Sequence, residues 1–334
     1  MDVHTFSCVV ETLEHDDRLE FLGQVAAWYY EDDLDQTEIA KRIGKSRSMV
    51  SRLLQEARER GLVEFRVRFP LRTDEVLENE LRDAAGLREV RVLVADDLPF
   101  DAMMRRVGRL GARALQARLR SDINVTIGWG AALYHTVRAM PDIRLDGVMV
   151  LQAMGSVGDG DPGVDGADLA RTLASKLNAD FRTLAAPLLV DSEEVAASLK
   201  ADRTNATTIA MAAEAEVFVT GIGTIDSDLS GLVRAGYFTE SQLRKLRALG
   251  VVGDLMGYLL DGDGNILDIP ENGRVVALFP GQMRGTKIAV AGGEQKAAAI
   301  LAAARGGYID VLVTDSMAAR AILTDTSPRS LTEV

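Results

Sequence analysis

The 334-residue chain holds one cysteine, Cys8, and three histidines, His4, His15 and His135. A single thiol cannot build an internal disulfide framework, so the sequence fits a reducing cytosol, and a cytoplasmic location is expected. With so few histidines, and only His135 beyond the N-terminal stretch, neither a zinc cluster nor a catalytic triad is spelled out, and no metal is expected. No window approaches ~18 consecutive apolar residues, and no basic segment leads into an apolar run, so neither a membrane span nor a secretory signal is indicated. Basic charge is also scarce. With 38 Lys and Arg against 50 Asp and Glu the formal net charge is −12, so any attraction to nucleic acid must be local.

That local feature exists. Residues 36–70 hold nine Lys or Arg against four Asp or Glu, a local +5, whereas residues 1–35 hold one against ten, a local −9. Within the basic island, QTEIAKRIGKSRSMVSRLLQEARERG (36–61) reads as a helix, a tight turn and a second helix. Ala40, Gly44, Val50 and Leu53 fall where a helix-turn-helix needs a small residue, a turn glycine and two apolar anchors. Ile39, Ile43, Leu54 and Ala57 extend the buried face. Ser46 is placed to cap the second helix and Gly61 to end it. Arg47, Ser48, Ser51, Arg52 and Gln55 then point away from the anchors. Gln36, Thr37, Ser46, Arg47, Ser48, Ser51 and Arg52 form the candidate DNA-binding set, with double-stranded operator DNA as partner.

A composition of 47% hydrophobic and 26% charged residues supports a large core, and the length allows two domains or one with an appendage. Residues 1–17 read as a mobile acidic N-terminus. Leu19, Phe21, Leu22, Val25, Ala26 and Tyr29 suggest a bracing helix within a helix-turn-helix domain spanning 18–70, and LVEFRVRF (62–69) suggests a short strand or wing. Residues 71–87 read as a linker helix. From residue 88 to 326, REVRVLVAD, INVTIGWG, DGVMVLQAMG, AEVFVTGIG, TKIAVAGG and IDVLVTD alternate with helical segments. This is the pattern of an α/β fold, doubly wound and mostly parallel, with its ligand at the carboxyl ends of the strands near a topological switch point. Residues 327–334 read as a tail.

The glycines gather at those strand ends, yet no cofactor motif is complete. GWGAAL has Leu133, and GIGTID has Asp226, where a dinucleotide turn needs its third glycine. DGDGN at 261–265 lacks glycine at the sixth position of a calcium loop, where Ile266 stands, and glutamate at the twelfth, where Asn272 stands; a plain β-turn is expected. His135 reads either as a ligand contact or as a packed helix histidine. Asp254, expected at the start of a strand, and Lys296, expected to open a helix, read either as grips for hydroxyls or an anion or as surface residues.

Taken in series, the stretch Thr37–Val63 and the segments VTIGWGAAL, APLLVDS, VFVTGIGTID, GDLMGYLLDGDG and VAGGEQKAAAILAAARGGYIDVLVTD resemble those of the SorC family of sugar-responsive bacterial transcriptional regulators, over about residues 18–325. The resemblance implies a helix-turn-helix joined to an effector domain whose fold resembles sugar-phosphate isomerases, assembled as a homotetramer, with a sugar, polyol or sugar phosphate as effector and no cofactor. It also implies that Gly128, Trp129 and Gly130 line the effector pocket, with Gln152, Gly223 and Thr224 joining them. Asp254 would bind sugar hydroxyls and Lys296 an effector oxygen or phosphate. This chain departs from the family at Ala131 and Ala132, where phosphate-binding members often carry Ser or Thr. The missing hydroxyls favour an unphosphorylated sugar or polyol. The expected function is a DNA-binding regulator of a carbohydrate or polyol catabolic operon, not an enzyme; the alternative is a sugar-phosphate isomerase-like enzyme with a DNA-binding extension.

Overall fold

The computed structural model describes residues 3–63, 70–157 and 165–326, and the side chains of 17–63, 70–157 and 165–325. The chain divides into two compact units, Met1–Pro70 and Leu71–Val334.

In the first unit, α1 (Val3–Tyr30), α2 (Gln36–Ile43) and α3 (Arg47–Glu59) enclose a small core of Leu22, Val25, Ile39, Ala40, Val50, Leu53, Leu54 and Ala57. α1 starts at Val3, so the helix runs through the stretch expected as a mobile acidic N-terminus. Val3, Phe6, Val10 and Leu13 recur at helical spacing in the sequence and give this stretch a helical pattern of its own. Asp35 caps α2 through a capping box with Glu38, whose carboxylate accepts the Asp35 N–H at 2.8 Å. Gly44 ends the helix at φ 64°, a left-handed conformation that a side chain would strain. Ser46 Oγ accepts from the Met49 N–H at 3.3 Å and starts α3. The expected wing lies mostly at 64–69, outside the described residues.

The second unit contains ten strands among the described residues: β1 (Glu89–Leu93), β2 (Asn124–Ile127), β3 (Met149–Gln152), β4 (Asp180–Arg182), β5 (Val217–Thr220), β6 (Gly223–Thr224), β7 (Val251–Leu255), β8 (Tyr258–Asp261), β9 (Thr286–Val290) and β10 (Val311–Asp315). Its helices are α4 (Glu75–Ala85), α5 (Phe100–Gln116), α6 (Ala131–Ala139), α7 (Gly166–Leu177), α8 (Glu193–Ala201), α9 (Arg203–Ala213), α10 (Gly231–Arg234), α11 (Glu240–Ala248), α12 (Pro270–Gly273), α13 (Ala297–Arg305) and α14 (Ser316–Thr326). Seven strands form a wholly parallel sheet in the order β1-β10-β9-β5-β2-β3-β4. From β2 the chain moves outward through β3 and β4, then returns to the other side of β2 at β5 and continues through β9 and β10. The winding therefore reverses between β2 and β5, which opens a crevice at their carboxyl ends.

Both faces of this sheet are covered. Val217, Val219, Ile288 and Val290 face one apolar cluster, while Phe218, Ala289 and Leu312 face the other. This two-sided burial explains why the inner strands β2, β3, β5, β9 and β10 read as largely apolar runs. Strand β4 was not expected; its three residues are exposed and too few to make a pattern. A separate antiparallel sheet, β6-β7-β8, follows directly after β5.

The segment expected as a linker helix belongs to the second unit. Leu77 and Leu81 of α4 are buried in the larger core, and the Glu78 carboxylate accepts the Val92 N–H at 3.1 Å. Two apolar residues four apart on one helix face outweigh the polar look of the stretch, because they dock α4 onto β1.

Candidate effector site and the exposed face of α3

The crevice at the switch point is a cavity of about 410 Å³. Trp129 and Gly130 enter it from the turn after β2, Gly221 to Gly223 from the turn after β5, Asp254 and Met256 from the antiparallel sheet, and Lys296 from the turn before α13. Phe100, Asp101 and Met104 of α5, Leu229, and Arg234 of α10 complete much of the wall. Apolar surfaces from Trp129, Phe100, Met104, Ile222 and Met256 thus face a few charged groups. Such a wall suits a ligand with both a hydrocarbon face and hydroxyls.

Asp254 occupies the fourth position of β7, not its first, and pairs in register with Gly223. It is buried, at 5% exposure, so the surface reading does not apply. A Cβ on Gly223 would lie 1.8 Å from Asp254 Oδ1; glycine is what leaves room for the carboxyl. Its other oxygen accepts the Gly257 N–H at 3.2 Å. Burial pushes the Asp254 carboxyl up to about 6, against the opposing pull of the Gly257 N–H and the Lys296 charge. Lys296 donates from Nζ to the Ile222 carbonyl at 2.6 Å. Burial brings its ammonium down to about 8, while the Asp254 charge pushes the other way. The two side chains share the cavity without forming a direct ion pair. A buried carboxyl that accepts from hydroxyls, beside an ammonium that donates to an oxygen, can orient a polyhydroxylated ligand.

Five of the eight residues expected at the effector site line the cavity: Trp129, Gly130, Gly223, Asp254 and Lys296. Gly128, Gln152 and Thr224 lie behind its wall. Gly128 packs against Thr220 at the β2–β5 junction. Gln152 is fully buried, and its Oε1 accepts the Leu184 N–H at 3.0 Å. Its Nε2 has no partner among the described residues. Thr224 donates to the Gln295 carbonyl at 3.1 Å and accepts from the Asp226 N–H, tying the β6 turn to the one that carries Lys296. His135 is a packed residue, with its Cβ and backbone crowded against Gly108 of α5, and burial lowers its imidazole pKa.

Sequence reasoning missed Arg234. It stands at the end of a four-residue helix, in a stretch without a recognisable pattern, and only the fold brings it to the cavity. Among the described residues no group of three His, Cys, Asp or Glu could hold a metal ion. The DGDGN stretch is a turn closed on itself: Asp261 Oδ1 accepts the N–H groups of Asp263 and Asn265, at 3.0 and 2.8 Å.

On α3, Arg47, Ser48, Ser51, Arg52 and Gln55 are all exposed, as is Thr37 on α2; Gln36 is partly covered. The Ser46 and Ser48 hydroxyls lie 2.9 Å apart. Glu56 pairs with Arg18 at 2.6 Å and Arg60 at 3.0 Å, which fixes α3 against α1. Arg47 and Arg52 form neither a hydrogen bond nor an ion pair with any described residue. No described helix is long and apolar enough to cross a membrane.

The model of the family described as "Putative sugar-binding domain" matches residues 70–324. The chain is 30% identical to the deoxyribonucleoside regulator of Bacillus subtilis (strain 168), over 90% of this chain and 96% of that protein. It is 33% identical to the transcriptional regulator LsrR of Klebsiella pneumoniae subsp. pneumoniae, over 91% and 93% respectively. The full-length sorbitol operon regulator SorC from Klebsiella pneumoniae matches with a TM-score of 0.68 at 25% identity, covering 92% of this chain and 99% of that one. These relatives are transcriptional regulators, not enzymes. A family model covering most of the chain, together with similarity over nine tenths of its length, establishes that the chain belongs to the SorC family of sugar-binding transcriptional regulators.

Proposed function

We propose that the protein binds operator DNA through α3 and that a small sugar, polyol or sugar phosphate in the switch-point cavity modulates this binding. The controlled genes would form a carbohydrate or polyol catabolic operon. The observation that carries the proposal is the placing of buried Asp254 and of Lys296 on the wall of one cavity of ligand size, in a chain whose α3 leaves Arg47 and Arg52 unengaged. In this reading Gln36, Thr37, Ser46, Arg47, Ser48, Ser51 and Arg52 meet a major groove, where arginine is the commonest reader of guanine. Asp254 takes ligand hydroxyls and Lys296 a ligand oxygen, while Gln152 and Thr224 hold the wall. One such head covers a half-site, so the working form is a homo-oligomer, a tetramer by family resemblance, acting in the cytoplasm.

A ligand shifts DNA affinity only by its differential affinity for two arrangements, about 1 to 3 kcal/mol of coupling. Ala131 and Ala132 offer no hydroxyls, which favours an unphosphorylated ligand; Arg234 beside Lys296 supplies charge for a phosphate. The test is operator affinity by fluorescence anisotropy, against sugars, polyols and their phosphates, for wild type, Arg52→Ala and Asp254→Ala. Arg52→Ala should weaken operator binding by about 1 to 3 kcal/mol. Asp254→Ala should keep effector-free DNA binding and lose the effector response. Wild-type operator affinity in the first variant would remove Arg52 from the interface, and an intact response in the second would remove the cavity.

A further inference from the structure

The chain holds a second basic stretch, in the effector unit. Residues 100–120 carry six Arg against one Asp, a local +5 equal to that of 36–70 in a shorter span. Arg105, Arg106, Arg109 and Arg113 fall on α5, and Arg118 and Arg120 just beyond its end. With both basic stretches set aside, the rest of the chain is more acidic than its net charge of −12 implies. A polyanion is therefore repelled except where one of these stretches faces it.

Packing fixes where the α5 arginines point. Met103, Met104, Val107, Leu110, Ala114 and Leu115 are buried, and a side chain at Gly108 would collide with His135 of α6. Arg105, Arg109 and Arg113, four residues apart, share the outer face. Arg105 and Arg113 are exposed, and their guanidinium groups form neither a hydrogen bond nor an ion pair with any described residue. Arg118, by contrast, is engaged with Glu89 at 2.7 Å. Like charges four apart weaken a helix, so the row opposes the fold instead of supporting it. Its field reaches a neighbour: burial lowers the His135 pKa, and the Arg105 charge adds to that effect against Asp101.

The chemistry of the row indicates its occupant. All six cations of 100–120 are arginine, whose planar guanidinium grips phosphate oxygens in pairs where an ammonium acts as a point charge. Arg105 and Arg113 are about 12 Å apart along α5, and a DNA duplex presents one negative charge about every 1.7 Å of its axis. Several phosphates thus fall within reach of one row. We propose that the outer face of α5 is a second DNA contact of the protein, made to the phosphate backbone without reading sequence. The proposal rests on the DNA-binding reading above and adds a face to it. Phe100, Asp101 and Met104 at the start of the same helix line the effector cavity, so a ligand there touches the helix that meets the phosphates.

The test uses the full-length protein, with Arg105→Gln/Arg113→Gln as the variant. Both side chains are exposed and glutamine is as good a helix former as arginine, so far-UV circular dichroism and melting temperature should not change. Anisotropy titrations across a salt series would compare a mixed-sequence duplex with one selected from a random pool on the wild type. On both duplexes the variant should bind about tenfold or more weakly at low salt, with the slope of log affinity against log salt reduced by about 2. Arg52→Ala, in contrast, should lose affinity mainly for the selected duplex. Unchanged slopes in the double variant, with Arg52→Ala still impaired, would overturn the α5 contact and leave the α3 reading standing. A wild type that binds neither duplex would overturn both. Retention of poly-glutamate by the wild type but not by the variant, at equal DNA slopes, would give the face to an acidic polypeptide and sink the proposal.

Discussion

Replacing Asp254 by asparagine should make the ligand-free protein more stable at pH 8 while impairing its response to effector. The carboxyl titrates near 3.8 in an open chain and is pushed up to about 6 in the fold. Because the folded-state pKa is the higher one, the stability contributed by the protonated carboxyl is fully present below pH 3.8 and lost as pH rises through 6. The shift of about two units corresponds to an upper limit on the order of 3 kcal/mol. Asparagine keeps the shape, and its oxygen can still accept the Gly257 N–H, but it never ionises. The variant loses the favourable influence of the carboxylate on Lys296, so the net gain should be about 1 to 3 kcal/mol. Urea unfolding of both proteins at a fixed concentration, from pH 4 to pH 8, measures the difference. It should be near zero at pH 4, open between pH 4 and 6, and level off above. A variant no more stable than wild type at pH 8, or a difference independent of pH, would refute the claim that the Gly257 N–H and the Lys296 charge only partly offset the burial of Asp254. Loss of effector response together with gained stability would mark a residue retained for binding at the expense of the fold.

Leu81→Ala should cost about 2 to 5 kcal/mol, because Leu81 is fully buried; a linker helix would lose almost nothing in the same denaturation experiment. Gly223→Ala places a methyl where the Asp254 carboxyl now lies. It should weaken effector binding more than about tenfold while costing at most about 3 kcal/mol in stability; calorimetric titration showing wild-type affinity would contradict the close approach.

The six expected strands of the parallel sheet were legible because burial leaves each a short, largely apolar and β-branched run, and β2, β3, β5 and β9 lead into glycine. The turn and cap of the helix pair were equally legible, since Gly44 and Ser46 act through their own backbone neighbours. What escaped notice depends on long-range packing. Strand β4 is short and exposed, and its only signal is its position beside β3. The role of α4 becomes visible only once Leu77 and Leu81 meet β1. Asp254 and Lys296 could each be singled out, but the burial that shifts both was beyond reach, because it requires the flap β6-β8 to fold over the crevice. Arg234 had no local signature at all.

The effector cavity draws its walls from Phe100, Trp129, Asp254 and Lys296, positions scattered over almost two hundred residues. No fragment of the unit carries a partial version of it, so a ligand that fits must recognise the finished fold alone. Occupancy therefore registers as protection of the entire unit: a compound at one hundred times its dissociation constant adds about 2.7 kcal/mol against unfolding. Melting-temperature shifts can thus identify the natural effector from a metabolite collection before any operator sequence is known.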